Sequence, residues 1–187
     1  MKKSICLVCT VPITFECFLK EHAIELLKNY KVTVISNFKN YDFKNMPSSI
    51  STLSVPFKRK VSLINDLYSL IKLFQLINKN KFDLTLSISP KAGFLVSIAS
   101  LVASTPKRVH WFTGQVWVTK TGIYKKFLMS LDWLIGHLST NLLVDSFSQR
   151  EFLLSKNILK RINSNVLADG SVNGVDTKRF KTNKKNR

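Results

Sequence analysis

Acidic residues are scarce in this chain: 11 Asp and Glu stand against 29 Lys and Arg, a formal net charge of +18 over 187 residues. No carboxylate pair offers itself for two-carboxylate hydrolysis, and Glu21 and Glu25, one helical turn apart among lysines, read as a solvated face. Cysteine is rarer still. Cys6, Cys9 and Cys17 are an odd set with no disulfide framework. Cys6 and Cys9 form a C-x-x-C, but an offset of three within a strand puts them on opposite faces, and no second Cys or His pair stands at ligand spacing; both read as core, and no metal is expected. The three histidines join no Ser-His-Asp order: His110 reads more readily as a packed core residue than as a base, and His22 and His137 receive no role. None of the six glycines builds a G-x-G-x-x-G after the first strand, where residues 10–14 read Thr-Val-Pro-Ile-Thr, so a nicotinamide or flavin dinucleotide is disfavoured. Long apolar runs are missing too: residues 5–15 and 92–103 are the longest, short of the roughly 20 a spanning helix needs. Lys2 and Lys3 imitate a secretory start, yet Glu16, Lys20 and Glu21 follow with no small-residue cleavage site, so a cytoplasmic location is expected.

What is present is a globular composition, 45% hydrophobic, which separates the charge from disorder. The charge then speaks of anionic partners: nucleic acid, a membrane surface or a phosphate-bearing substrate. No nucleic-acid-binding motif appears, so nucleic acid is not an expected partner. Apolar β-rich runs at residues 4–10, 31–36, 51–55, 84–89, 108–112, 141–145 and 164–168 alternate with helical periods. Between the third and fourth runs, Ile64, Leu67, Ile71, Phe74 and Ile77 share one helical stripe. Residues 91–104 read as a nearly all-apolar helix with Val102 among its inward positions, and Phe127 to Leu138 follow an amphipathic period. Ser148-Gln149-Arg150-Glu151 has the form of a capping box. Strands alternating with helices predict an α/β Rossmann-like three-layer sandwich, a mostly parallel sheet of about seven strands, over residues 1–176, with a basic linker stub or tail at 177–187.

Ligands of such folds bind beyond the carboxyl ends of the strands, so the loops there are the candidates. After the first strand, Thr10 and Thr14 are either ligand-facing hydroxyls or simple caps. After the fourth, Lys91 stands at a helix amino end, where it either points into solvent or meets an anion gathered there. After the fifth, Thr113, Gly114, Gln115 and Trp117 supply backbone freedom, hydrogen-bonding groups and an aromatic plate suited to a sugar; the alternative is a surface turn with Trp117 tucked into the core.

Ser89-Pro90-Lys91-Ala92-Gly93, Phe112-Thr113-Gly114-Gln115-Val116-Trp117, Asp145-Ser146 with Ser148-Gln149-Arg150-Glu151, and Gly170-Ser171 followed by Asn173-Gly174-Val175-Asp176 and Arg179-Phe180 together resemble the amino-terminal half of bacterial family 4 glycosyltransferases. The subgroup is the one that builds O-antigen, capsule and other lipid-linked surface glycans. The resemblance implies half of a GT-B fold, with the acceptor held here and the nucleotide-sugar donor held by a second domain expected outside this sequence. It implies retaining transfer without metal or other cofactor, the nucleotide-sugar being a substrate. Its acceptor-side positions are Thr10, Thr14, Lys91, Thr113, Gly114, Gln115 and Trp117, and Asn173, Gly174 and Asp176 mark the interdomain hinge. Partners implied are a lipid-linked sugar acceptor, an anionic membrane face and a separate donor-binding chain. Two departures, Val11-Pro12-Ile13 where many members have glycine and Thr113-Gly114 where many have His-Gly, leave no catalytic residue assigned. Alone, the domain is expected to transfer sugar poorly or not at all. The rival readings are a non-catalytic subunit or truncated remnant, and a nucleotide-sugar epimerase of the same fold.

Overall fold

The computed structural model describes residues 2–39, 41, 46–175 and 180. A seven-stranded, wholly parallel sheet runs in the order β3-β2-β1-β4-β5-β6-β7. Its strands are β1 Ser4–Val8, β2 Lys31–Ser36, β3 Ser51–Ser54, β4 Leu84–Ser87, β5 Lys107–Phe112, β6 Asn141–Val144 and β7 Ser164–Val166. The helices are α1 Pro12–Thr14, which continues through a π-helical stretch Phe15–Leu19 into α2 Lys20–Leu26, then α3 Leu63–Asn80, α4 Pro90–Val102, α5 Gly122–Leu138 and α6 Phe147–Ser155. The α/β Rossmann-like sandwich expected from the alternation of patterns is the observed fold.

The order reverses direction between β1 and β4. Right-handed crossovers therefore place α1 and α2 on one face and α3 to α6 on the other. The packing agrees: Phe15, Leu19 and Ala23 meet Val32, Val34 and Leu86 in one cluster, whereas Leu73, Ile77, Leu95 and Ala99 meet Cys6, Val8 and Ile35 in another. Cys6 and Cys9 fall in these two opposite clusters, as their offset required. Burial pushes the Cys9 thiol up to about 11 and Cys6 higher still, so neither is a thiolate near neutral pH.

Three sequence expectations need correcting. On α3 the core positions are Ser69, Leu73 and Ile77, with Phe74 packed beside them; Ile64, Leu67 and Ile71 lie in solvent. The helix is apolar on two faces, and periodicity alone does not say which one meets the sheet. Val102 is likewise exposed, at the last turn of α4 where the helix outruns the layer. The cap of α6 is Ser146, whose hydroxyl accepts from Gln149 N–H, while Glu151 instead pairs with Arg161. Asp145, directly after β6, leaves Ser146 as the residue that turns the chain into the helix.

Candidate functional site

All seven strands point their carboxyl ends the same way, and the loops there meet across the switch point between β1 and β4. Thr10 and Ser89 close that gap: their hydroxyls lie 2.7 Å apart, and Thr10 N–H also donates to Ser89 Oγ. Thr10 is buried, so it acts as a tie between the two loops, while Thr14 is half-buried in the helical segment on the other side. Beneath them His110 is enclosed, its Nδ1 2.8 Å from Ser87 Oγ, and burial holds it down to about 3, a neutral core residue at physiological pH. Gly93 makes this possible. A Cβ there would overlap Cε1 and Nδ1 of the His110 ring, so α4 approaches the sheet as closely as it does only without a side chain.

Two expected ligand groups turn out to be internal fastenings. Lys91 neither points into solvent nor waits for an anion: its Nζ pairs with Asp66 Oδ1 at 2.8 Å and donates to Lys58 O and Lys60 O. Those three acceptors use all three ammonium protons. Trp117 is 2% exposed, its ring stacked on Phe152 and its Nε1–H donating to Asp132 Oδ2 at 2.7 Å, so it is the tucked-in alternative and not an open aromatic plate. The carboxylate it meets comes from α5 and is itself enclosed. Burial raises Asp132 to about 6 despite the indole hydrogen bond.

Thr113 and Gly114 stay exposed at the rim. Gln115 turns inward, where its Oε1 accepts from Gln149 Nε2, and Gln149 Oε1 in turn accepts from Asp145 N–H. Gln149 thereby bridges the loops after β5 and β6. Around this bridge three buried polar atoms have no hydrogen-bond partner: Trp111 Nε1, Gln115 Nε2 and Asp145 Oδ1. Burial holds the Asp145 carboxyl above the usual carboxylate range, opposed in part by the facing Trp111 indole, which lies outside hydrogen-bond geometry. Trp111 Nε1, Gln115 Nε2 and Asp145 Oδ1 thus form a buried polar cluster at the carboxyl ends of β5 and β6, in which the Trp111 indole and the Asp145 carboxyl face one another.

A strap from the carboxyl-terminal segment closes over this patch. Gly170 passes so near that a Cβ would overlap Asp145 O, with φ at +98°, and Ser171 N–H donates to that same carbonyl. Val172 O accepts from His22 Nε2, whose ring packs on Trp111 with centroids 5.3 Å apart. Asn173 Nδ2 then donates to Cys17 O, a carbonyl within the π-helical stretch. Such stretches free backbone groups from the regular ladder, and here one is taken up by the strap. Ala168 and Ser171 both hold positive φ, so three of four consecutive turn positions between 168 and 171 are in left-handed conformations. Gly174 is exposed with nothing near it, and Asp176 lies outside the described residues.

Sequence reasoning missed His22, Trp111, Asp145 and Gln149 as site residues. The signal for Asp145 and Gln149 was present in the Asp-Ser-x-Ser-Gln turn after β6; nothing local marks His22, whose partner lies 150 residues away. Among the described residues no group of three His, Cys, Asp or Glu side chains is placed to hold a metal ion. No helix among them is long and apolar enough to cross a membrane.

No protein-family model matches the chain. It is 28% identical over 153 residues to the capsular polysaccharide biosynthesis glycosyltransferase CapM of Staphylococcus aureus, covering 82% of this chain and 40% of that protein. It is 29% identical over 137 residues to the UDP-Gal:alpha-D-GlcNAc-diphosphoundecaprenol alpha-1,3-galactosyltransferase of Escherichia coli, covering 72% of this chain and 34% of the other. The chain thus spans well under half the length of the curated relatives it matches. Among solved structures it resembles the lipopolysaccharide outer core galactosyltransferase WaaB, with TM-score 0.63 and 11% identity over 87% of this chain and 44% of that one. It also resembles the UDP-N-acetylglucosamine 2-epimerase of Rickettsia bellii, with TM-score 0.66 and 16% identity over 89% and 44%. By sequence, then, its homologues are bacterial glycosyltransferases of capsular-polysaccharide and undecaprenol-linked glycan synthesis, and by fold it is a Rossmann-like α/β domain of the GT-B kind.

Proposed function

We propose that residues 1–176 are the acceptor-binding half of a retaining glycosyltransferase that moves a sugar from a nucleotide-sugar onto a lipid-linked glycan in surface-polysaccharide assembly. Transfer proceeds without a metal, and the donor is gripped by a second domain or chain outside this sequence. The observation that carries the reading is the incompletely paired polar cluster of Trp111 Nε1, Gln115 Nε2 and Asp145 Oδ1 beneath the strap at the carboxyl ends of β5 and β6. The Trp111 indole and the Asp145 carboxyl face one another outside good geometry, and with Gln115 Nε2 they offer two donors and an acceptor to sugar hydroxyls, which both donate and accept. The similarity to an enzyme whose name specifies a diphosphoundecaprenol-linked acceptor supports a lipid-linked sugar as the ligand. Such an acceptor lives at a membrane face, which makes an anionic membrane surface the second partner and a peripheral cytoplasmic position the setting.

In this reading the domain holds one reactant, the acceptor. Bringing two reactants into near-attack geometry is where an enzyme without a strong nucleophile obtains its rate. The test is titration of the chain with a short-chain polyprenyl-diphosphate sugar, followed by ¹⁵N NMR of the indole and Gln side-chain amides. Shifts at Trp111 and Gln115, abolished in Asp145→Ala with the fold intact, are expected. Tight binding of a UDP-sugar with no response to the lipid-linked sugar would sink the acceptor reading, and epimerised UDP-sugar in the same tube would favour the epimerase.

A further inference from the structure

The side-chain amide of Gln149 has a direction that the backbone fixes. Its outer end lies 3.0 Å from the backbone nitrogen of Asp145, and a backbone N–H only donates, so the atom there is the oxygen, Oε1. The other atom is then the NH2 group. It lies 3.3 Å from the Gln115 side chain, and a donor at that point requires the facing atom of Gln115 to be Oε1. Gln115 Nε2 is thereby the atom left for the cluster, enclosed and without a partner like Trp111 Nε1 and Asp145 Oδ1. Turning the Gln115 amide over would set two NH2 groups against each other across the contact. One backbone N–H thus decides, through two amides in series, that residue 115 presents a donor.

The anchor of this series is stiff. Gln149 is the third residue of α6, and its own N–H donates to Oγ of the cap, Ser146. Ser146 and Gln149 therefore form a capping box, in which the glutamine side chain reaches back one residue beyond the cap to Asp145 N–H. Either Glu or Gln serves in such a box, because the helix end asks only for an acceptor. The second contact asks for more. Glutamine, unlike glutamate, offers Asp145 N–H an acceptor and Gln115 Oε1 a donor at once. A glutamate would keep the cap and keep a bridge, since Gln115 can donate to it, but would reverse the group that residue 115 shows to the cluster.

We propose that Gln149 is a positioning residue for the sugar site, holding Gln115 with Nε2 towards the ligand so that Trp111 and Gln115 both donate and Asp145 accepts. A hydroxyl that meets Gln115 is then taken as an acceptor and has to place its own proton elsewhere. This role rests on the acceptor reading of the cluster, but the direction of the two amides is measured on the ligand-free chain.

The experiment follows the side-chain NH2 signals of Gln115 and Gln149 by ¹⁵N NMR in the full chain, then titrates a short-chain polyprenyl-diphosphate sugar into wild type, Gln149→Glu and Gln149→Met. In the free wild type, one Gln149 amide proton is expected downfield and slow to exchange, and the Gln115 pair at unbonded shifts. In Gln149→Glu the Gln115 protons are expected to move downfield as they turn to the carboxylate, with a thermal midpoint close to wild type. Affinity is expected to fall roughly tenfold or more in Gln149→Glu, which swaps a donor for an acceptor beside Asp145, and only about threefold in Gln149→Met, which lets Gln115 turn either way. A residue that merely ties the two loops predicts the opposite order, because methionine breaks both contacts and glutamate keeps both. Downfield Gln115 protons in the free wild type, or a glutamate variant that binds like wild type, would overturn the proposal. So would an affinity loss in Gln149→Glu without movement of the Gln115 signals, which assigns the loss to the added charge. The wild-type signals test the amide direction even where a variant does not fold. Amide signals as expected, with no response of the wild type to the lipid-linked sugar, would remove the acceptor reading and leave the fixed amide direction standing; sugar binding with the amides reversed would do the opposite.

Discussion

Replacing Asp132 with Asn isolates the energetic cost of the carboxylate buried beside Trp117. The carboxyl titrates near 6 in the folded chain because burial disfavours its charged form, against an ordinary value of 3.8. Between those values the folded state keeps a proton that the unfolded state has lost, so stability from this group is fully present below pH 3.8 and declines as pH rises to about 6. At ~1.4 kcal/mol per pH unit the interval amounts to about 3 kcal/mol. His110 works in the opposite sense. Its folded value near 3 lies below the ordinary 6.5, so its contribution is present above pH 6.5 and lost on acidification towards 3. Over roughly pH 4 to 6 the two slopes oppose each other, and the wild-type profile is expected to be nearly flat with respect to them. The amide introduced by Asp132→Asn keeps an acceptor for the Trp117 indole but cannot titrate, which leaves His110 uncompensated. Urea midpoints read by tryptophan fluorescence, at half-unit steps of pH, measure both proteins. Relative to wild type, D132N is expected to gain about 3 kcal/mol between pH 4 and 7. A difference between the two curves that does not vary with pH would refute the argument, because every other titrating group cancels in it.

Gly170→Ala drives a methyl group into Asp145 O at a left-handed φ, and a loss of about 2 kcal/mol or more is expected, together with faster hydrogen exchange at Ser171. Lys91→Met removes the partner of the mostly buried Asp66 and frees the carbonyls of residues 58 and 60; about 2 kcal/mol of destabilisation and new tryptic cleavage at Arg59 or Lys60 should follow, with resistance to trypsin as the contrary result. Gly93→Ala drives a methyl group into the His110 ring and is expected to cost about 1–3 kcal/mol by thermal melting, whereas Gly174→Ala, with open space around it, should change the midpoint little.

The order of strands and helices was legible because burial pattern is a local property. A strand buried on both faces reads as a continuous apolar run and a packed helix as a 3.6 period, so all seven strands could be placed within a residue or two at each end. The opposite facing of Cys6 and Cys9 followed from the same local geometry, and so did the core placement of His110. The carboxyl-end loops were legible as a region, because in a parallel sheet every strand delivers its loop to the same edge.

What those loops do to one another was decided only in three dimensions. Lys91 is satisfied by an acid 25 positions earlier, Trp117 by one 15 positions later, and the strap by groups about 150 positions away in His22 and Cys17. None of these pairings has a spacing that a period can reveal; each exists because a crossover helix or a returning segment brings distant residues to one edge of the sheet. The same holds for α3, whose sequence marks two apolar faces with equal clarity. The sequence by itself determined that this chain is a basic, parallel α/β domain with its polar loops at one end. The tertiary structure decided which apolar face is core, which charges are already neutralised, and which buried groups at Trp111, Gln115 and Asp145 are left open, because those are questions of who meets whom across the chain.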